Sequence, residues 1–197
     1  ERGYPPNNYV TYGGDNNVNS FGQFFINIDG RPNGSPIEIC NGIDDDCDGL
    51  IDESYSLVVS SQANEGDNTL RSILNCAQNG DVITFTANID TITLLSPLIL
   101  DKNLTLLDNT GNKIVIKANL NTPGFDLADG AVKILNGVEV NCNNIHFYQL
   151  NNSQNKPLIL NNGMLNMTDS KLSGNPDSVI RHSSGASFQV NGLFEID

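Results

Sequence analysis

The sequence predicts an all-β chain whose larger part is a parallel β-solenoid, and three observations carry that expectation. Past residue 80 the apolar residues come in short runs separated by Asn, Gly and Asp turns, each run too short to be half of an ordinary hairpin sandwich. The composition is turn-rich, with 30 Asn and 18 Gly among 197 residues and no Trp, and both residue types tolerate positive φ. Three turns also resemble one another: Ala128-Asp-Gly-Ala131, Asn161-Asn-Gly-Met164 and Ser183-Ser-Gly-Ala186. Their glycines lie 33 and then 22 residues apart, an irregular period of the size of one solenoid coil. From Gly80 onward there is room for about four or five coils, above the three or so that stability requires. A Greek-key sandwich would need longer alternating strands at regular spacing.

Composition divides the chain into three parts. Residues 1–36 are rich in Asn, Gly and Pro and hold one strand-like alternation, Phe21 to Asp29, in which Phe24, Ile26 and Ile28 would share a face. This part reads as an extended arm or as the tail of an upstream domain. Residues 37–55 are an acidic loop. Residues 56–197 are the solenoid, opening with a helix near 68–79 in which Leu70, Ile73, Leu74 and Ala77 follow the i, i+3, i+4, i+7 rule. Asp67 or Asn68 is the expected N-cap and Gly80 the left-handed stop. The expected strands then follow in order: Val82–Phe85, Thr91–Leu94, Pro97–Leu100, Leu104–Leu107, Ile114–Ile116, Val132–Leu135, Val138–Val140, Ile145–Tyr148, Leu158–Leu160 and Ser187–Val190. Asn side chains at the turns are expected to stack as ladders along the coils.

Charge narrows the partners. Ten Lys and Arg against 23 Asp and Glu give a net charge of −13, which repels phosphate backbones and anionic lipid surfaces, so neither nucleic acid nor membrane insertion is expected. No apolar run approaches the roughly 18 to 20 residues that cross a bilayer. The chain starts at Glu1 without an initiator Met or a charged-then-apolar leader, so the sequence reads as a mature product or, preferably, a piece of a longer polypeptide with further domains.

Seven of the 23 acidic residues fall between Glu38 and Glu53 with no Lys or Arg among them, a cluster that repels itself unless a cation is present. Within it Asp44, Asp46, Asp48 and Gly49 form D-x-D-x-D-G. Carboxylates at loop positions 1, 3 and 5 converge on one point when a glycine at position 6 turns the chain back, and calcium favours such a flexible cage of six to eight oxygens. Leu50 would lend its backbone carbonyl and Asp52 a direct or water-bridged oxygen. Position 12 is Tyr55 rather than a bidentate Glu, so the closing ligand is sought at Glu53 or Asn41. Hard oxygen donors and the lack of a nearby His argue against a transition metal. The flanking Cys40 and Cys47 suggest a local disulfide and an oxidising compartment. Cys76 and Cys142 either pair or act as buried small hydrophobes.

Two resemblances extend this reading. Cys40-Asn-Gly-Ile-Asp-Asp-Asp-Cys-Asp-Gly-Leu-Ile-Asp-Glu53 closely resembles a metal-binding motif of bacterial secreted proteins, akin to thrombospondin type-3 calcium repeats, which implies an extracellular, calcium-rigidified connector between modules. The stretch Gly66 to Phe85, with Thr69-Leu-Arg-Ser-Ile-Leu-Asn-Cys-Ala77 and Gly80-Asp-Val-Ile-Thr-Phe85, followed by Leu98 to Leu107, resembles the opening of the right-handed parallel β-helix domains of the pectate-lyase-like superfamily. The pattern departs at Ser72, where Ala or Glu is more usual. The resemblance implies a right-handed parallel β-helix capped by the helix near 68–79, on a secreted or cell-surface bacterial protein.

Catalytic signals are sparse. Lys117, Lys133, Arg181, His146 and His182 are spread over different runs, and His146 and Tyr148 alternate with Ile145 and Phe147, so they should project outward. Arg181 and His182, beside Asp177, form the best remaining contact site. Sequons at Asn103, Asn151 and Asn166 are expected by chance in so Asn-rich a chain. The sequence therefore favours a calcium-binding, non-enzymatic extracellular module serving adhesion or carbohydrate binding, or acting as a spacer, with a polysaccharide or another surface protein as partner. A polysaccharide lyase or glycoside hydrolase on the same fold is one alternative. A self-assembling surface fibre or sheath subunit is the other.

Overall fold

The computed structural model describes residues 10–11, 25–26, 56–126, 128–174, 179–192 and 195–196. The chain divides into two compact units, Glu1–Ser56 and Leu57–Asp197. In the first, strands β1 (Val10–Thr11) and β2 (Phe25–Ile26) pair antiparallel, Val10 opposite Ile26. The expected alternation around Phe24 to Ile28 is represented by β2 alone among the described residues.

The second unit is a solenoid-like stack of parallel strands. After β3 (Val58–Val59) and helix α1 (Leu70–Cys76), strands follow in groups of three: β4 (Asp81–Phe85), β5 (Thr91–Leu94) and β6 (Leu98–Leu100); β7 (Leu104–Leu107), β8 (Ile114–Asn119) and β9 (Val132–Ile134). The next are β10 (Glu139–Asn143), β11 (Ile145–Leu150) and β12 (Ile159–Asn161); β13 (Met164–Thr168), β14 (Lys171–Ser173) and β15 (Ile180–His182); then β16 (Ser187–Asn191) and β17 (Glu195–Ile196). Every third strand joins the same sheet. The six-stranded sheet runs β16-β13-β10-β7-β4-β3, the five-stranded sheet β17-β14-β11-β8-β5 and the four-stranded sheet β15-β12-β9-β6. One triplet is thus one coil, and the register Asp81↔Leu104, Val140↔Leu104, Val140↔Leu165 and Leu165↔Phe188 makes successive coils 23, 36, 25 and 23 residues long.

Strict alternation places one row of each sheet inside. Ile83, Leu106, Cys142 and Met167 are in register and fully shielded from solvent, and so are Ile92, Ile116, Phe147 and Leu172. Side chains that stack on like neighbours in every coil bury a continuous core that no single coil could form. The second coil is longer because the loop after β8 carries Phe125, which is buried with the core. On β16 the inward row is less covered: Phe188 is half-buried and Val190 is 38% exposed.

Helix α1 is shorter than expected, and its caps differ. Thr69, not Asp67 or Asn68, is the N-cap: its Oγ1 accepts from the Ser72 amide at 3.2 Å, while Ser72 Oγ donates to the Thr69 carbonyl at 3.0 Å. Ser72 is thus tied to the cap residue through both its amide and its hydroxyl. The helix stops at Ala77, whose extended ψ ends the turn; Gly80, at φ +96°, instead turns the chain into β4. Leu70, Ile73 and Leu74 pack onto the core. Lys102 Nζ donates to the Leu74 and Asn75 carbonyls at 3.0 Å, a cation at the negative end of the helix. Arg71 donates to the carbonyls of Ser96 and Pro97.

Two corners of the coil are built differently. The corner from the six- to the five-stranded sheet turns on left-handed residues, Lys113 at φ +59°, Asn144 at +59° and Asp169 at +49°. Its backbone amides step from coil to coil, Asp108 to the Asn143 carbonyl, Asn144 to Thr168 and Asp169 to Asn191. Asp108, only 6% exposed, accepts from the Thr110 amide and hydroxyl, the Lys113 amide and the Asn144 side chain. Burial pushes its carboxyl up, but these hydrogen bonds outweigh burial and hold it below the ordinary carboxylate value.

The corner from the four- to the six-stranded sheet is made of Asn79-Gly80, Asn103, Asn136-Gly137, Asn162-Gly163 and Ser184-Gly185 in successive coils. The repeat expected at Gly130, Gly163 and Gly185 is therefore offset: Gly130 precedes β9 in the four-stranded sheet, and Gly137 is the true counterpart of the other two. A Cβ on Gly163 would collide with the carbonyl oxygens of Val138 and Leu135 in the coil before. The Asn ladder here is chiefly side chain to backbone: Asn79 Oδ1 accepts from the Asn103 amide and Asn103 Oδ1 from the Glu139 amide, both at 2.8 Å.

Candidate functional site

The predicted metal ligands Asp44, Asp46, Asp48, Leu50, Asp52, Glu53 and Asn41 lie outside the described residues, as do Cys40 and Cys47. Among the described residues no group of three or more His, Cys, Asp or Glu is placed to hold a metal, and no helix is long and apolar enough to cross a membrane. Cys76 is disulfide-bonded and Cys142 is a free, buried thiol, so these two do not pair with each other. Cys142 takes the place of a small hydrophobe in the row Leu106, Cys142, Met167, and burial pushes its thiol up to about 12.

Arg181 and His182 do not form one site. They are successive residues of β15 and point to opposite faces of the four-stranded sheet. Arg181 is in register with Leu160 and Lys133 on the outer row, and its Nη2 donates to the Asn155 carbonyl at 3.1 Å. His182 continues the inner row Leu100, Ile134, Asn161, where its ring lies 5.9 Å from Phe188 and burial lowers its pKa. Asp177 lies outside the described residues. Lys133 is held by Asp129 at 2.5 Å. The two outer cations are two strands apart, roughly 10 Å, and each is already engaged.

His146 and Tyr148 project outward, as alternation requires, between the buried Ile145 and Phe147. His146 Nε2 lies 2.7 Å from Ser173 Oγ, and its ring is 5.8 Å from that of Tyr148. Lys117 is the strand neighbour of Tyr148, and Lys171 of His146.

The outer face of the six-stranded sheet has another chemistry. Its rows read Val82, Thr105, Asn141, Asn166, Gln189 and Thr84, Leu107, Asn143, Thr168, Asn191. Asn166 Nδ2 donates to Asn141 Oδ1 and to Glu139 Oε1, each at 2.9 Å. This bonding ties up the amide of the Asn166 sequon. Beside this face, over the Asn/Gly corner, lies an open cavity of 270 Å³ lined by Asn103, Asn136, Val138, Glu139, Asn162, Met164 and Ser187 together with the corner glycines. Nothing in the sequence singled it out, because its lining comes from four coils and is separated by 23 to 36 residues at each step. Two buried oxygens next to it, Ser187 Oγ and Asn166 Oδ1, have no hydrogen-bond partner.

No protein-family model, no curated protein and no solved structure matches the chain.

Proposed function

We propose that this chain is a calcium-binding, non-enzymatic extracellular module of a larger secreted or cell-surface bacterial protein, in which a right-handed parallel β-helix presents its outer faces to carbohydrate or to another surface protein. The observation that carries the reading is the outer face of the six-stranded sheet, where Asn, Thr and Gln fill successive coils in register. Neutral amides and hydroxyls on a rigid ladder suit recognition by hydrogen bonding, whereas acid/base chemistry needs titratable groups brought together. The acidic loop is assigned to calcium on its donor set, Asp44, Asp46, Asp48, the Leu50 carbonyl and Asp52, closed by Glu53 or Asn41. Export follows from the resemblance of that loop to motifs of secreted proteins.

Titration calorimetry with calcium, on the chain and on Asp46→Asn/Asp48→Asn, tests the metal assignment. Micromolar to millimolar binding that the double variant loses is the expected result, and no heat of binding to the unmodified chain overturns it. Incubation with neutral and acidic polysaccharides, scored for retention and for new reducing or unsaturated ends, tests the rest. Retention without cleavage is expected. Cleavage would instead favour the lyase or hydrolase reading, for which Lys133 and Arg181 on one outer row are the residues to replace first.

A further inference from the structure

We infer that Asn136-Gly137, at the corner between β9 and β10, is a site of spontaneous covalent modification, converting to aspartate and isoaspartate while the fold protects the neighbouring Asn-Gly corners. Asn-Gly is the pair most open to this chemistry, because glycine has no Cβ to obstruct the approach of its own nitrogen. Among the described residues the pairs are Asn79-Gly80, Asn136-Gly137, Asn162-Gly163 and Asn191-Gly192; Asn33-Gly34 and Asn41-Gly42 lie outside them. In the reaction the Gly137 nitrogen gives up its proton and bonds to Asn136 Cγ. The bond from Cγ to the side-chain nitrogen breaks, ammonia leaves, and a five-membered succinimide remains. Water then opens the ring. Cleavage at Cγ leaves an ordinary aspartate, and cleavage at the backbone carbonyl carbon leaves the main chain running through the side chain. One water is consumed, one ammonia is released, and no oxidant or reductant takes part.

Ring closure needs an asparagine side chain that can rotate, a glycine amide free of hydrogen bonds, and room beside the turn. Two corners lack these. Asn79 Oδ1 accepts from the Asn103 amide at 2.8 Å and the Gly80 amide donates to the Asn103 carbonyl at 2.7 Å. Asn162 Oδ1 accepts from Ser183 Oγ, the Gly163 amide donates to Asn161 Oδ1 at 3.0 Å, and the backbone of the coil before crowds Gly163. Asn191 ends β16, where its carbonyl accepts from the Asp169 amide at 3.2 Å. Gly192 packs against the Asp169 carboxylate, a negative charge that opposes loss of the amide proton. At Asn136-Gly137 all three conditions are met. Both residues are exposed, neither the Asn136 side chain nor the Gly137 amide has a hydrogen-bond partner among the described residues, and the space over Gly137 is open. The turn itself rests on one long bond, from the Val138 amide to the Leu135 carbonyl at 3.2 Å, with Gly137 at φ +79°. Conversion would set a new carboxylate in the wall of the cavity near Glu139, and the isoaspartate form would lengthen the corner by one backbone atom.

The test is to age the full chain in mildly alkaline buffer, folded and in urea, and to follow each Asn-Gly peptide by mass spectrometry together with isoaspartyl methyltransferase labelling. In the folded chain Asn136 is expected to convert fastest of the four. Asn79 and Asn162 should be slower by on the order of tenfold, since two hydrogen bonds must open before either ring can close. In urea the four rates should converge, because the pairs share the same chemistry once the fold no longer holds them. Asn136→Gln, whose longer side chain closes a ring far more slowly, should abolish the signal from that peptide alone. Conversion of Asn79, Asn162 or Asn191 as fast as Asn136 in the folded chain overturns the inference. An advantage of Asn136 that persists undiminished in urea overturns it as well, since the flanking sequence and not the fold would then set the rate.

Discussion

The two corners flanking the six-stranded sheet solve the same geometrical problem in opposite ways. At the corner leading to the five-stranded sheet the polar groups are buried and matched: Asp108 has acceptors facing Thr110, Lys113 and Asn144, and Ser170 Oγ accepts from the Ile145 amide while it faces the Cys142 and Thr168 carbonyls. At the corner leading in from the four-stranded sheet the turns are Asn and Gly, the surface is hollow, and Ser187 Oγ is shielded yet unpaired. A matched network rigidifies the stack and has nothing left to offer a ligand. The unmatched corner lacks such a network, so the two ends of each strand in the six-stranded sheet are held by different means.

Substitutions should follow that division. Asp108→Ala leaves several donors without a partner and is expected to cost about 3 kcal/mol, the upper end for hydrogen bonds to a charged group, read as a lowered denaturation midpoint. Cys142, beneath the same corner, is the reporter: its raised thiol should resist alkylation in the native chain and react faster in the variant. Because the folded carboxyl of Asp108 sits below its unfolded value of about 3.9, its contribution is present above that value and is lost as pH falls through the folded one. Asp108→Asn should therefore flatten the acid limb of the stability profile between about pH 5 and 2; an unchanged limb would show that another carboxylate dominates it.

At the hollow corner the effects should be smaller. Gly163→Ala is expected to cost about 2 kcal/mol, because its methyl group must displace two backbone carbonyls of the preceding coil. Asn103→Ala, which removes one acceptor from the Glu139 amide, should cost about 1 kcal/mol. Ser187→Ala should leave the melting temperature almost unchanged, within about 0.5 kcal/mol, since no protein group relies on its Oγ. A large destabilisation by Ser187→Ala would erase the contrast between the corners.

Much of the solenoid was legible in the residues because inward rows such as Ile114, Ile116 and Ile145, Phe147 alternate cleanly. Strands β14 and β15 were missed for a physical reason. Lys171-Leu-Ser173 carries one inward apolar residue, and Ile180-Arg-His182 begins with one; neighbours on both sides supply the ladder, so little side-chain signal is needed. The glycine repeat was displaced because Asn-Gly and Asp-Gly turns look alike wherever they fall in a coil. Arg181 and His182 were joined by adjacency, although the alternation that correctly sent His146 outward separates them too. The cavity was invisible because adjacency across coils depends on register, and the irregular coil lengths conceal it.

The register of the coils also determines how the module would behave under tension. A stack of parallel coils pulled from its ends sheds them one at a time, since each contacts only its neighbours. Coils of 23, 36, 25 and 23 residues would release contour lengths of about 8, 12, 8.5 and 8 nm at 3.4 Å per residue. A single-molecule force trace should show this unequal staircase, with one long step marking the coil that carries Phe125.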